Sequence, residues 1–406
     1  MLIISPCYSK QDNWTANKMT EQEALVALNM LPGIGSVTAV CLRERFGSFA
    51  ALFDLSESDF ASVQGVGAGR AARFASEFGS VPYKEEIEHA SRSGVQLVTL
   101  INDEYPLLLK EISDPPLCLY VAGEPKILNQ SGCAVIGTRH ATLYGKETAR
   151  RFGYQLAAAG YSVISGFARG IDTEAHMGAV QADGVTVAVL GSALDRMYPQ
   201  ENKKFAGELI EKGSAVITEY PFGRQADRQT FPQRNRIVSG MSRGVLVIES
   251  PLRSGTLITV GQALEQGRVV MAVPGRVDSR TSMGSNRLIR EGARLVTSVD
   301  DVLEELQDLF ATVRSEGKSA SAVLSGGAGV RSGKDGAKRA LAPRPEQTLS
   351  VEERNVLKNI SDEGSFADSI MRESGLEPGK VNSVLVSLQI KRLIKTHPGG
   401  LFKRII

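Results

Sequence analysis

Residues 231–260 read FPQRNRIVSGMSRGVLVIESPLRSGTLITV, and the fold is decided in this stretch. Phe231-Pro232 leads into Arg234-Asn235-Arg236 and a helical pattern. An unbroken apolar run, Val245–Ile248, follows and ends in Glu249-Ser250, and Ser254-Gly255-Thr256 then opens a second helix. An apolar strand held between two helices predicts a parallel sheet covered on both faces. Coming after Pro232, Arg234, Asn235 and Arg236 are expected in the first turn of a helix, where unpaired N–H groups and the dipole favour an anion. Cations prefer the other helix end, so two guanidiniums there suit a polyanion resting on that turn. The plainer alternative is a solvated arginine pair.

Working outward, the same alternation recurs. Apolar strands are expected at Cys133–Gly137, Tyr161–Gly166, Thr186–Gly191, Ala215–Glu219, Val245–Glu249 and Val269–Val273. Helical patterns separate them, for example Lys146–Ala159 with Ala149, Phe152, Leu156 and Ala159 on one stripe. In such sheets ligands bind beyond the carboxyl ends of the strands. Here those ends are Gly137-Thr138-Arg139, Ser165-Gly166, Gly191-Ser192, Glu219-Tyr220-Pro221, Glu249-Ser250 and Pro274-Gly275.

Composition bounds the class. A chain of 406 residues exceeds one ordinary domain, and 42% hydrophobic with 23% charged residues is the balance of a soluble globular protein. Net charge is only +2, so a nucleic-acid surface has to be local. Cys7, Cys41, Cys118 and Cys133 are scattered without a C-x-x-C pair, which argues against metal and disulfide roles. No apolar run has the length of a membrane span, and no signal-peptide core opens the chain; a cytoplasmic protein is expected, with no membrane partner.

The flanks differ from this α/β centre, taken as about 95–310. Residues 1–20 are polar and aperiodic and are expected to be disordered. Residues 21–90 read as short helices with an internal repeat: Gly33-Ile34-Gly35 with Ala39 recurs as Gly65-Val66-Gly67 with Ala71. This resembles the helix-hairpin-helix (a SAM-like helical unit), in which glycines let a hairpin approach a phosphate. Only Arg43, Arg45, Arg70 and Arg73 accompany the hairpins, so a DNA contact and a structural or docking role both stay open. Residues 312–349, rich in Gly, Ser, Ala and Pro, are expected to form a flexible linker. Residues 350–406 carry helical patterns at Val351–Ile360, Phe366–Glu373 and Gly379–Leu393. A hairpin pattern follows around His397-Pro398-Gly399-Gly400, and the whole resembles a winged helix. Its third helix offers Lys380, Asn382, Ser383 and Ser387, a sparse set for reading bases.

The strand ends exclude some chemistries. The first turn, Gly137-Thr138-Arg139-His140, is not the G-x-G-x-x-G of a dinucleotide site, and no G-x-x-x-x-G-K-[ST] phosphate loop occurs. What remains are small-residue turns that expose backbone N–H groups, Ser165–Gly170 and Ser254-Gly255-Thr256. With Arg139, Arg169, Lys203, Lys204, Arg234 and Arg236 they are able to seat successive phosphates. Catalytic players are weak: Asp172 reads as a cap for the helix from Thr173, His176 as a core histidine, and Glu219 and Glu249 as carboxylates orienting the arginines. Asp195 and His140 form no nucleophile–base or metal-ligand spacing with them, and no cofactor is implied. Phe167, Phe222 and Phe231 lie in edge loops as candidates for base stacking or plain packing.

These motifs, in this order, resemble the DprA/Smf family of DNA-processing proteins. The resemblance runs through Gly137-Thr138-Arg139 with Tyr144-Gly145, through Ser165-Gly166, Gly170-Ile171-Asp172 and Ala175-His176, and through Gly191, Asp195, Tyr198-Pro199 and Asn202. It continues in Phe231-Pro232 with Arg234-Asn235-Arg236, Ser254-Gly255-Thr256, Pro274-Gly275 and Gly284-Ser285-Asn286, covering about residues 95–300. It implies an extended Rossmann-like domain that binds single-stranded DNA, protects incoming DNA and loads a RecA-type recombinase during natural transformation, as a homodimer and without enzymatic activity. Carried over, the DNA contacts are Gly137, Arg139, Ser165, Gly166, Arg169, Gly170, Lys203, Lys204, Arg234, Asn235, Arg236, Ser254, Gly255 and Thr256. Thr138 and Ala193 depart from commoner residues of the family, serine and glycine. On this reading Arg236→Glu weakens strand binding and spares the fold. One alternative is a nucleotide-cleaving Rossmann enzyme of the phosphoribohydrolase kind, but Thr259 stands where such enzymes place a glutamate. The other is a recombinase adaptor that makes no DNA contact.

Overall fold

Six apolar segments, buried along their whole length or nearly so, build the centre of the sheet: β3 (Gly132–Ile136), β4 (Ser162–Ser165), β5 (Thr186–Val189), β6 (Ala215–Thr218), β7 (Gly244–Val247) and β8 (Val269–Ala272). Burial on both faces is what a run of Val, Ile and Ala without polar alternation requires. The structure is a computed structural model and describes residues 19–63, 67–307, 350–361, 365–376, 380–381, 384–385, 388, 394–397 and 401–404. Expectations for residues 1–18, the second hairpin's Gly65-Val66, the linker 312–349, Asn382, Ser383, Ser387 and the Pro398-Gly399-Gly400 turn lie outside them. The chain divides into two units, Met1–Ser325 and Gly326–Ile406.

In the first unit the nine-stranded sheet runs β1-β2-β6-β5-β4-β3-β7-β8-β9. From β3 the chain proceeds through β4 and β5 to β6 on one side, then returns to place β7, β8 and the short β9 (Arg294–Leu295) on the other. All of these pairs are parallel, with Ala134 beside both Ile164 and Val245. The reversal of direction therefore falls between β3 and β7, where open α/β sheets hold ligands. Two antiparallel strands, β1 (Gln96–Thr99) and β2 (Cys118–Gly123), extend the β6 edge. Sequence periodicity did not show them.

Helices cover both faces. Five of them, α1 (Glu21–Met30), α2 (Ser36–Phe46), α3 (Glu57–Ala61), α4 (Ala68–Phe78) and α5 (Tyr83–Arg92), precede the sheet. Thr20, expected in the loose N-terminus, instead caps α1 in a reciprocal box with Glu23. The hydrophobic core runs unbroken from Leu25, Phe60 and Phe74 through Leu119 to Ile136 and Val247. The helical segment thus shares the sheet's core. Further along come α6 (Leu107–Lys110), α7 (Leu143–Ala158), α8 (Ile171–Gln181), α9 (Lys203–Glu211), α10 (Thr230–Gly240), α11 (Thr256–Glu265), α12 (Met283–Arg290) and helical residues 299–307, α13.

On α7 the buried stripe is Ala149, Phe152, Leu156 and Ala157; Ala159 lies past the helix end and is exposed. Gly153 of α7 and Gly178 of α8 let the two backbones meet, since a Cβ at Gly178 would sit inside the van der Waals shell of the Arg150 carbonyl. Gly178→Ala is expected to cost about 1–3 kcal/mol by overpacking. Urea denaturation measures this, and a neutral result would show that α7 and α8 can slide apart.

The second unit contains α14 (Val351–Lys358), capped by a Ser350/Glu353 box, and α15 (Ala367–Ser374). Its three-stranded sheet is ordered β10 (Ser365–Phe366), β12 (Leu401–Arg404), β11 (Ile394–His397). Val356, Ile370, Val381, Leu385, Leu388 and Ile394 form its core. This is the helices-plus-hairpin pattern of a winged helix. Lys380 is paired with Glu352 at 2.8 Å.

Candidate nucleic-acid interface

The turns beyond β3, β4 and β7 converge at the switch point. After β3, the Thr138 N–H donates to the Glu249 carbonyl at 2.8 Å, locking this turn to the end of β7. Gly137 is obligatory there, because a Cβ would run into Ile171 and that carbonyl. Glu249, 2% exposed, accepts from Thr142 N–H at 3.0 Å and Thr142 Oγ1 at 2.6 Å. It holds the start of α7 and orients no arginine, contrary to expectation. The cause is the close approach of Gly145, which leaves that carboxylate beside Thr142.

The turn after β4 is tightly built. Ser165 is fully buried and its hydroxyl donates to the Val135 carbonyl at 2.6 Å, so its side chain is not a surface contact as expected. Phe167 has φ 56° and is fully buried against His176 and Phe205, which removes it as a base platform. Gly170 adopts φ +80° in front of the Thr138 and Arg139 carbonyls. Asn202 braces the turn by donating to the Phe167 carbonyl at 3.1 Å and to Thr173 Oγ1 at 2.9 Å. Asp172 lies within α8, not ahead of it, and accepts from the Ala168 N–H at 3.4 Å. Burial lifts its carboxyl to about 6 against the pull of Arg234 and the turn's N–H groups.

Arg234-Asn235-Arg236 departs furthest from expectation. Helix α10 begins at Thr230, so Pro232 occupies its first turn and the three polar residues follow in the second. Two positions along the helix, about 200° of rotation, send the two arginines to nearly opposite sides. Arg234, 4% exposed, donates through one nitrogen to the carbonyls of both Gly166 and Val189 and faces Asp172. Burial pulls its guanidinium down to about 10, with the Asp172 charge opposing that fall. Arg236 turns to the other side, where it is bidentate to Glu219 at 2.7 and 2.7 Å and 2.9 Å from Asp114. Its side chain is 14% exposed. Burial works against its charge, but the two carboxylates outweigh this and raise its guanidinium further. Neither arginine is a free phosphate ligand; each ties strand ends together.

The groups left open to solvent form a row. Arg139 lies over the Phe231 ring at 4.8 Å, Phe231 meets Tyr198 edge-on at 5.8 Å, and Arg169 lies over Tyr198 at 5.9 Å. Arg169 also pairs with Glu201, both side chains being about half exposed, an ion pair worth little in water. Beside this row a cavity of about 370 Å³ is bounded by Gly137, Gly166, Asn235, Arg253, Ser254 and Thr256. Lys203 and Lys204 stand exposed at the start of α9, and Lys203 borders a neighbouring cleft with Arg196 and Tyr198. Phe222 is away from this row, stacked on His89 at 4.1 Å. Arg253 and Tyr198 were not singled out as contacts from sequence; the signal was their position, immediately before Ser254-Gly255 and inside Tyr198-Pro199.

His176 is a core histidine. Thr186 donates its hydroxyl to the Val163 carbonyl at 2.5 Å, so Nδ1 of His176, at 2.6 Å, must donate to Thr186 Oγ1. Burial lowers it to about 3. Between about pH 4 and 6 Asp172 binds protons more readily in the folded state, so its contribution to stability falls as pH rises. His176 does the reverse between its folded value of about 3 and the ordinary 6.5. Asp172→Asn removes only the first effect. Urea midpoints of that variant are expected to fall more steeply than the parent's from pH 6.5 to 4; parallel profiles would refute the assignment.

A family model described as DNA recombination-mediator protein A matches residues 96–307, the whole of the sheet and its strand-end turns. The chain belongs to the DprA/Smf family. A second model, the DprA winged helix domain, matches residues 340–400. Protein Smf of Escherichia coli K12 is 35% identical over 304 residues, 75% of this chain and 76% of that one. Protein Smf of Synechocystis is 29% identical across 95% and 99% of the two chains. The X-ray structure of DNA processing protein A from Streptococcus pneumoniae superposes with a TM-score of 0.61 at 34% identity, covering 71% of this DprA/Smf chain and 99% of that one. Among the described residues no helix is long and apolar enough to cross a membrane, and no group of three His, Cys, Asp or Glu is placed to hold a metal ion.

Proposed function

We propose that this DprA/Smf chain binds single-stranded DNA along the carboxyl edge of its sheet. The observation that carries this is the row Arg139–Phe231–Tyr198–Arg169, two rings flanked by two guanidiniums, at spacings of 4.8, 5.8 and 5.9 Å. Rings present faces to unpaired bases while the guanidiniums, with Lys203 and Lys204, meet phosphates, a combination that suits a single strand of any sequence. Gly137, Gly166, Gly170, Asn235, Ser254, Gly255 and Thr256 belong to this site as backbone and side-chain surface of the turns. Arg234 and Arg236 support it from behind.

Fluorescence anisotropy with labelled single-stranded and duplex oligonucleotides across a salt series tests the reading. Tighter single-strand binding with a steep salt slope is expected. Tyr198→Ala should cost about 1–3 kcal/mol of binding, the worth of one stacked base. Tyr198→Ala binding as tightly as the parent would remove the ring from the site. The family's description as a recombination mediator supports handing the bound strand to a RecA-type recombinase, and membership of the family supports a homodimer. Co-precipitation with a recombinase and sedimentation of the free chain test these two parts. On this reading the protein acts by binding, with no reaction of its own.

A further inference from the structure

We infer that Asp172 is an internal competitor for the strand's phosphate, so that the chain takes up a proton when it binds single-stranded DNA and binds more tightly in mild acid. The proton comes from solvent and goes to the Asp172 carboxylate. The inference rests on the reading of the sheet edge as a single-strand site.

The carboxylate stands where an anion would. Asp172 Oδ2 accepts from the Ala168 N–H at 3.4 Å, and the Gly166 N–H also favours its charged form. A Cβ on Gly166 would lie 2.8 Å from both Asp172 Oδ2 and Arg234 Nη2, so carboxylate and guanidinium flank that glycine. Turn N–H groups with guanidiniums beside them are the parts of an anion nest. Here the protein's own carboxylate occupies it, with Arg234 and Arg139 both drawing on its charge. Asp172 is 7% exposed, yet it borders the cavity that Arg139, Arg253, Ser254 and Thr256 also line. Among the described residues it is the one carboxylate in that lining. A phosphate that comes to the turn after β4 therefore meets a like charge already in place.

The other acids nearby are committed elsewhere. Glu249 at the end of β7 holds Thr142, Glu201 ahead of α9 pairs with Arg169, and Glu174 of α8 pairs with Arg150 of α7. His176 of α8 is enclosed in the core. His140, exposed on the same cavity, is of the side-chain type that gains charge in mild acid and has to be separated by experiment. Burial already lifts the Asp172 carboxyl to about 6. A phosphate beside it disfavours the charged form further, so the bound chain keeps the proton to higher pH than the free chain. Affinity then rises as pH falls toward about 6 and levels off below, where the free chain is protonated as well.

The test is anisotropy of a labelled oligothymidylate with the full chain from about pH 8 to about pH 6 at fixed salt. Neither thymine nor a phosphodiester titrates in that range. Binding about tenfold tighter at the lower pH is expected, the order of one like charge at a partly solvated site. Asp172→Asn keeps an acceptor for Ala168 and removes the charge. It should bind at the higher pH about as tightly as the parent does at the lower, with a flattened profile. His140→Gln should leave most of the parent's slope. Calorimetry of His140→Gln near neutral pH, in two buffers of different ionisation enthalpy, counts protons without relying on the Asp172→Asn fold; net uptake on binding is expected. A flat parent profile, a slope that Asp172→Asn retains, or binding without proton uptake overturns the inference while strand binding stands. If no strand binds at any pH, the sheet-edge reading falls with it.

Discussion

Arg236→Glu is expected to destabilise the folded chain by about 3–5 kcal/mol, the cost of removing one partner from a buried ion pair. The parent side chain is 14% exposed and bound by Glu219 and Asp114, and its Nε also donates to the Asp114 carbonyl at 3.1 Å. A glutamate there sets a third carboxylate against the largely buried Glu219 and the half-exposed Asp114. Sequence alone led to the opposite expectation, a loss of DNA binding in an intact fold. Urea denaturation beside strand-binding anisotropy separates the two. A variant as stable as the parent that no longer binds DNA would mean that Arg236 leaves its carboxylates to hold phosphate.

Arg234→Met is expected to be comparably severe, again about 3–5 kcal/mol. Methionine keeps much of the stem and removes the donor shared by the Gly166 and Val189 carbonyls, along with the charge facing Asp172. The Ser165–Gly170 turn then loses the clamp that sets its height above the sheet. Adding Asp172→Asn should recover part of the loss, because the uncompensated carboxyl is gone. Two penalties that simply add in the double variant would show that the residues do not interact. The Asp172 carboxyl should also titrate higher in Arg234→Met than the value of about 6 it has now, since an attractive charge has been withdrawn.

Both predictions mark the limit of reading arginines from a linear pattern. Arg-x-Arg after a proline looked like two equivalent phosphate ligands because sequence shows charge and not direction. Successive residues of a helix point about 100° apart, so residues two positions apart face nearly opposite ways. One arginine entered the sheet edge and the other the neighbouring corner. Ser165 was misplaced, and Phe167 left between stacking and packing, for a related reason. The turn they form folds down onto the sheet, and backbone compactness is invisible in composition.

Other parts were legible. The six central strands were recognisable because a strand buried on both faces is a near-continuous apolar run without polar alternation. The proposed location of the site rests on the same fact, since the small-residue turns all end parallel strands. The two antiparallel edge strands were missed because β1 is covered only in part and its pattern is short and mixed.

The sequence by itself determined the α/β class and the family, since each depends on which residue types recur at which intervals. Only the tertiary structure decided which cations stay free for a ligand. That choice depends on which carboxylates and carbonyls come within a few ångströms, as with Arg236 and Glu219 or Arg234 and Gly166. Such pairings are made by chain crossings between distant segments, and local pattern carries no record of them.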